Sequence, residues 1–303
     1  MARTPSTTPA SEQALSEPAI PGQPAPRDRT GILDRVLAIL ELLAVHTEGL
    51  PLHEIAARLD IPRSASHRLL TDLIGHGYVR QDGERGGYML TAKLVSLGFT
   101  YLSGSGVVDL AQPVLDRLAL RTGELVRLSV VDTDRLTWVA KAQGARTGLR
   151  YDPDMGMEAP LACTSAGFAW LSCLRDDEAL ALIARQRARM PEQPLGPQGP
   201  RGDEEILEHI HLARRRGYSI AIETFTAGMA AIAAPIRTRE GRPVKGCVSV
   251  AGPYVRVTEP RLHEMAQDLL AAAAELAATG LGSPAFHRLR RDRDGDIFSG
   301  SGP

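Results

Sequence analysis

The chain has 303 residues, of which 43% are hydrophobic, and this length and composition predict about two globular domains with ample core material. Its net charge of −1 gives no overall basic field, so any contact with nucleic acid must come from a local patch. Three widely spaced cysteines without a C-x-x-C motif argue against a zinc site or a disulfide framework, and no apolar run is long enough to span a membrane, so we expect a cytoplasmic protein.

The first segment predicts no folded structure. Residues 1–28 are rich in Pro, Ser, Thr and Ala, with scattered charge. Such a segment buries too little apolar surface to offset the entropy lost on ordering, so we expect a disordered tail.

Two amphipathic helices are predicted next. Apolar residues at three- and four-residue spacing indicate a helix over residues 33–44, which ends before Glu48. A break at residues 50–51 separates it from a short helix at 53–59. Residues 60–61 then make a tight connection to a third helix.

The third helix, at residues 61–73, has two different faces. Pro62 suits its first turn, where a missing N–H costs nothing. At 3.6 residues per turn, Ser66 and three leucines face inward, whereas Ser64, His67, Arg68 and Thr71 face outward. Hydroxyl, imidazole and guanidinium groups can contact phosphates and base edges. The pattern therefore fits a DNA-recognition helix, although an ordinary amphipathic surface helix has the same periodicity.

The segment that follows favours the recognition helix. Short strands at 78–81 and 88–90 around a glycine-rich turn predict a β-hairpin, and three helices followed by a hairpin make a winged helix-turn-helix. Acidic residues match basic ones in this region, so we expect weak binding by one copy and oligomers on repeated half-sites. The predicted DNA-binding residues are Arg63, Ser64, Ala65, His67, Arg68 and Thr71 on the helix, and Arg80 and Arg85 on the hairpin.

A nearly apolar segment at residues 91–103 predicts a linker helix that joins two domains and helps to pair subunits. Residues 103–106 are expected to form a flexible break. Their G-x-G pattern lacks the preceding strand of a dinucleotide-binding fold, so no cofactor is predicted.

The second half alternates helices and strands and predicts an α+β domain with a largely antiparallel sheet. Strands are expected at 125–131, 136–142, 148–151, 218–222, 230–237 and 244–252. Helices are expected at 110–122, 165–174, 176–190, 204–216 and 259–278. The predicted organisation is a disordered tail at 1–28, a winged helix-turn-helix at 29–91, a linker helix at 92–106, a C-terminal domain at 107–281 and a disordered tail at 282–303.

Several motifs in this order resemble those of the IclR family of transcriptional regulators. They lie at residues 59–70 with 77–80, 160–170, 216–218, 233–235 and 249–253, and the resemblance covers roughly residues 31–280. It implies a dimeric or tetrameric regulator that binds double-stranded operator DNA and acts as a repressor or an activator. It also implies a GAF-like C-terminal domain that binds a small effector, often an organic acid or an aromatic compound.

The resemblance places the effector at the start of the helix predicted from Ser165. Thr164 can cap this helix and leave the amides of Ser165 and Ala166 for a carboxylate, although a plain cap without a ligand remains the alternative. Ser249 and Ala251 share one face of a strand by period-two alternation.

The remaining candidate residues make the expected site more apolar than in some relatives. Ala221 and Ala231 stand where family members can carry acidic or cysteine residues. We therefore expect a larger organic acid with an apolar or aromatic body rather than a very small polar effector. Met155 and Met157 could line such a pocket because methionine adapts to irregular shapes, with ordinary core packing as the alternative.

Two other functional classes are alternatives to a DNA-binding regulator. Cys163 near a helix start could be a reactive thiol, but no local motif places a histidine beside it and no hydrolase or metalloprotease motif occurs, so the protein is not expected to be an enzyme. A winged helix that makes only protein contacts is the second alternative.

Overall fold

The computed structural model describes residues 31–83, 86–105, 107–153, 155–190, 195–237 and 244–279. Arg85 and the two predicted tails, at 1–28 and 282–303, lie outside these residues. None of the helices described is both long and apolar enough to cross a lipid bilayer.

The N-terminal part is a winged helix-turn-helix. Its elements are α1 (Ile32–Ala44), α2 (Leu52–Leu59), α3 (Arg63–Gly75), β1 (Val79–Gln81) and β2 (Tyr88–Leu90), and β1 pairs antiparallel with β2. The apolar positions that predicted the helices form one buried core, which contains Ile39, Leu42, Ile55 and Leu70. The periodicity therefore identified these helices to within about two residues at each end.

The turn between α2 and α3 sets the position of the third helix. Asp60 adopts a left-handed conformation with φ of 51°, and the N–H of Ile61 donates to the carbonyl of Ala56 over 3.0 Å. This reversal directs the chain into Pro62, which precedes α3. Short polar side chains such as aspartate tolerate the left-handed region better than most residues.

The hairpin is attached to the helices by a further backbone pairing. Leu50 donates to Tyr88 over 3.0 Å, and Tyr88 donates back to Leu50 over 2.8 Å. The segment predicted only as a break therefore also holds the hairpin against the helical core.

Helix α4 (Ala92–Ser105) starts directly against the winged domain. The hydroxyl of Thr91 donates to the carbonyl of Gly77 over 2.6 Å, and Nζ of Lys93 donates to the carbonyl of His76 over 2.7 Å. The flexible break predicted at 103–106 is wrong for residues 103–105, which continue α4, and Gly106 lies outside the described residues. The low helix propensity of Ser and Gly is a weak tendency that the structural context overrides here.

The C-terminal part is built on one five-stranded antiparallel sheet. Its strands are β3 (Leu125–Asp132), β4 (Arg135–Gln143), β5 (Ser219–Ile222), β6 (Met229–Ile236) and β7 (Gly246–Pro253), in the spatial order β4-β3-β7-β6-β5. Its helices are α5 (Val107–Thr122), α6 (Ser165–Leu171), α7 (Asp176–Arg189), α8 (Asp203–Arg216) and α9 (Glu259–Ala278). This agrees with the predicted α+β class.

The sheet is buried on both faces. One face packs against α5 and α9 and contributes Val126, Leu128 and Val250 to that core. The other face packs against α6, α7 and α8 and contributes Trp138 and Cys247. The candidate site in this part of the chain lies on this second face.

The strand predicted at 148–151 does not form. Gly148 has a φ of 77°, which interrupts an extended conformation. The carbonyls of Leu149 and Tyr151 accept hydrogen bonds from the side chains of Arg256, over 2.8 Å, and Gln143, over 3.0 Å. Side chains rather than a neighbouring strand therefore hold this segment.

Candidate functional site

The outward face of α3 is the first candidate surface. Arg63, Ser64, His67, Arg68 and Thr71 are exposed, and Ala65 is half-buried. Ser66 is fully buried together with Leu69, Leu70 and Leu73. The division of faces predicted from the sequence is thus confirmed, with Ser66 as a packing residue.

The positive charge on this surface is available to a ligand. Among the described residues, Arg63 and Arg68 form no ion pair or side-chain hydrogen bond with a neighbour. The hydroxyl of Thr71 donates to the carbonyl of His67 over 2.9 Å, which leaves its lone pairs as acceptors. Arg80 is exposed on β1, opposite Met89. Exposed guanidinium groups without partners suit contacts with phosphates.

A small cavity in the C-terminal domain is the second candidate site. It lies between the start of α6 and the sheet, and about 40 Å³ of it is open to a water molecule. The predicted effector residues that line it are Thr164, Ser165, Ala166, Ala221, Ala231, Ser249 and Ala251. The structure therefore brings together residues that are far apart in sequence.

Met155 and Met157 do not line this cavity. Both are half-buried and pack against the apolar cluster under α6, α7 and α8. The carbonyl of Met157 accepts a hydrogen bond from the backbone N–H of Trp138 over 3.1 Å. The prediction that these methionines line the effector pocket is therefore wrong, and they are core residues, which was the alternative.

Thr164 caps α6 as predicted. Its hydroxyl oxygen accepts from the N–H of Gly167 over 3.0 Å, and the hydroxyl donates to the carbonyl of Pro160 over 2.7 Å. The amides of Ser165 and Ala166 belong to the first turn, where a helix offers no acceptor. A Cβ added at Gly167 would lie 2.3 Å from the carbonyl oxygen of Leu161, so only glycine permits this close approach.

The cavity also contains a buried arginine that the sequence analysis missed. Arg127 lies on β3, opposite Ser249 on β7, and the residue is only 7% exposed. Its guanidinium carbon is 4.0 Å from the ring centre of Trp138 and 5.7 Å from that of Tyr151. Burial lowers the pKa of Arg127 below its ordinary value, and Tyr151 acts in the opposite direction.

Two polar atoms of this group have no hydrogen-bond partner among the described residues. They are Nε of Arg127 and Nε1 of Trp138, and both are buried. Unpaired buried donors are costly and uncommon, so each calls for an explanation such as a bound ion or an ordered water. Arg189, which pairs with Asp134 and Glu158 outside the cavity, also has a buried Nε without a partner. Arg127 could have been noticed in the sequence as a charged residue at an alternating position of a predicted strand. Trp138, Tyr151 and Thr224 also line the cavity, and no sequence pattern marked them as site residues.

The cavity does not provide a reactive thiol. Cys163 lines it, and burial raises the pKa of this thiol to about 12. The group therefore stays protonated at neutral pH and is a poor nucleophile. All three cysteines are free thiols. In the part of the chain that the structure describes, no group of His, Cys, Asp and Glu side chains could hold a metal ion.

Two family models match the chain. The model described as IclR helix-turn-helix domain matches residues 32–83, and the model described as bacterial transcriptional regulator IclR C-terminal matches residues 99–278. These ranges contain the α3 surface and the cavity, respectively.

Individual proteins give the same result. The chain is similar to the HTH-type transcriptional regulator BhcR of Paracoccus denitrificans, with 32% identity over 81% of this chain and 85% of that protein. It is 28% identical to the transcriptional repressor IclR of Escherichia coli over 86% of this chain and 93% of the repressor. These relatives are transcriptional regulators and not enzymes.

A solved structure shares the fold. An IclR homologue from Microbacterium hydrocarbonoxydans, complexed with 4-hydroxybenzoate, superposes with a TM-score of 0.67 and 22% identity. The match covers 84% of this chain and 100% of the homologue.

Proposed function

The chain belongs to the IclR family of bacterial transcriptional regulators, and we propose that it binds operator DNA as a homo-oligomer under the control of an organic-acid or aromatic effector. Its general class, a DNA-binding regulator with a small-molecule-binding C-terminal domain, follows from the two family models. As a bacterial DNA-binding protein it would act in the cytoplasm, and we propose catabolic genes as its targets.

The DNA-binding part of the proposal rests on the free positive charge of α3. Arg63 and Arg68 lie on the first two turns, close to His67 and Ser64, and none of the four is buried. In winged helix-turn-helix proteins the second helix of the motif enters the major groove and the hairpin contacts an adjacent groove or backbone. We propose that Ala65 and Thr71 complete the helix contacts and that Arg80 and Arg85 act from the hairpin.

The oligomer is supported by apolar side chains on α4. Val95, Leu97, Phe99 and Tyr101 are each at least half exposed. A run of large exposed apolar residues on one short helix is uncommon for a surface that stays in water. We propose that α4 pairs with a second copy, which would place two α3 helices on repeated half-sites.

The effector part rests on the composition of the cavity. Its hydroxyl groups include those of Thr164, Ser165 and Ser249, and its apolar walls include Ala221 and Ala231. Small-molecule sites combine such apolar walls with a few polar groups that orient the ligand. We propose that Ala166 and Ala251 complete the walls of the effector site.

Gel-shift titrations with DNA that flanks the gene of this protein test the proposal. We expect salt-sensitive binding that changes when the correct acid or aromatic compound is added. A thermal-shift screen of carboxylic and aromatic catabolic intermediates, including 4-hydroxybenzoate, would identify the compound. If no fragment gives a salt-sensitive complex, the winged helix serves another purpose, such as protein contacts.

A further inference from the structure

Arg127 is a buried cation without an anionic partner. Among the described residues no Asp or Glu side chain forms an ion pair with it, and its Nε has no acceptor. A buried charge is strongly unfavourable unless a counter-ion and hydrogen bonds compensate it. The aromatic face of Trp138 at 4.0 Å offsets part of this cost but does not neutralise the charge.

The other charged groups of the same sheet region already have partners. Lys141 lies opposite Arg127 on β4, and its Nζ donates to Oδ1 of Asp152 over 2.6 Å. Glu124, just before β3, accepts from Nη2 of Arg256 over 2.9 Å. Neither Asp152 nor Glu124 lines the cavity. Tyr151 is the neighbour that favours the charged form of Arg127, and the residues that line the cavity supply no anion, so a ligand is the group that can provide one.

We infer that Arg127 binds the carboxylate of the effector, and that the effector is a small monocarboxylic acid with an apolar body. This inference rests on the proposed effector function of the cavity. The residues that line it include one cation and no carboxylate. A second carboxylate on the ligand would find only the partial positive charge at the start of α6 and no second cation, and an ammonium group would find no anion. The alanine wall formed by Ala221, Ala231 and Ala251 lies where an apolar body would pack.

Arg127 is also suited to a carboxylate by its chemistry. A guanidinium group presents several donors in a fixed plane and binds a carboxylate through paired hydrogen bonds. Nε and one Nη of the guanidinium can form such a pair, and the Nε of Arg127 has no acceptor among the described residues. Contact with the Trp138 ring, whose centre is 4.0 Å from the guanidinium carbon, restrains Arg127 before a ligand arrives, which lowers the entropy lost on binding.

Calorimetric titration of the full-length protein with matched probes tests this inference. The probes are butanoate and benzoate, their neutral amides, and the dicarboxylates succinate and phthalate. We expect the monocarboxylates to bind at least about tenfold more tightly than the amides and the dicarboxylates. Arg127→Met should weaken acid binding by about 10- to 100-fold, whereas Arg127→Lys should lose less because it keeps the charge.

Thermal unfolding without ligand separates this role from a structural one. Removal of an unpaired buried charge should leave the Tm of Arg127→Met equal to or above that of the unsubstituted protein. A purely structural arginine would instead give a lower Tm. Lys141→Met is the matched control, since it removes a partnered cation from the neighbouring strand and should retain acid binding.

Three results would overturn the inference: no probe acid binds, acids and amides bind equally, or Arg127→Met retains full affinity for the acids. Failure of the proposed regulatory function would give a different set of results. If acids bind through Arg127 but never change the affinity for DNA, the cavity is not a control site. If DNA binding responds to a neutral compound independently of Arg127, the regulator remains and only the assignment of Arg127 is wrong.

Discussion

Replacement of Arg68 by alanine should weaken operator binding and reduce its dependence on salt. Arg68 is exposed on α3 and has no side-chain partner among the described residues, so its loss should change the free energy of unfolding by less than about 0.5 kcal/mol. Each lost phosphate contact lowers the slope of log K against log salt by about 0.9. A dimer loses two contacts, so the slope should fall by about 1.8.

The corresponding loss of affinity is about tenfold or more, because a side chain that contacts DNA contributes on the order of 1 kcal/mol or more in each subunit. Fluorescence anisotropy with a labelled promoter fragment, at salt concentrations between about 50 and 200 mM, measures both quantities. Arg215→Ala is the matched control, because it removes an equal charge from an exposed position on α8. Equal affinities and equal slopes for the two variants would remove Arg68 from the DNA-contacting residues of α3.

The remaining predictions concern the oligomer, the cap of α6 and a histidine. Phe99→Glu should convert the oligomer to monomers in analytical ultracentrifugation. The control is Val255→Glu, which changes an exposed residue outside α4 and should leave the oligomer intact. Oligomers in both variants would exclude α4 as the interface. Thr164→Ala should lower the Tm by about 2–4 °C, and Thr164→Ser should restore most of it, because only the hydroxyl caps the helix. Burial lowers the pKa of His209, which stacks on Phe168, so the unfolded chain takes up a proton before the folded chain does as the pH falls below 6.5. The Tm of the protein should therefore fall with decreasing pH in this range. A His209→Phe variant whose Tm falls by the same amount would contradict this.

Much of the fold could be predicted because local pattern and burial coincide. Helix α9 was predicted at residues 259–278 and runs from Glu259 to Ala278. The buried position of Ser66 followed from the helical period alone, because leucines on the same face fixed which side turns inward. In contrast, the pattern did not show that Gly148 interrupts the strand predicted at 148–151. Glycine is compatible with an extended or a left-handed conformation, and the sequence does not say which of the two it adopts.

The cavity was only partly predictable. Thr164 and Ser249 were identified through their positions in family motifs. Their orientation could also be predicted, because helix capping and strand alternation are local properties of the sequence. Arg127 was missed because its significance depends on contacts across the sheet: the sequence does not show that β3 is covered on both faces or that no carboxylate stands opposite the guanidinium. Tyr151 lies in a segment without regular structure, so no periodicity predicts where its side chain points.

Control of DNA binding by an acid is the central claim, and one titration tests it most directly. The affinity of the full-length protein for the DNA that flanks its own gene is measured by anisotropy, with and without butanoate, benzoate and their amides. We predict a salt-sensitive complex whose affinity changes with an acid and not with the matching amide, and this response should be lost in Arg127→Met. A complex that is insensitive to salt, or one that responds equally to acid and amide, would contradict the account.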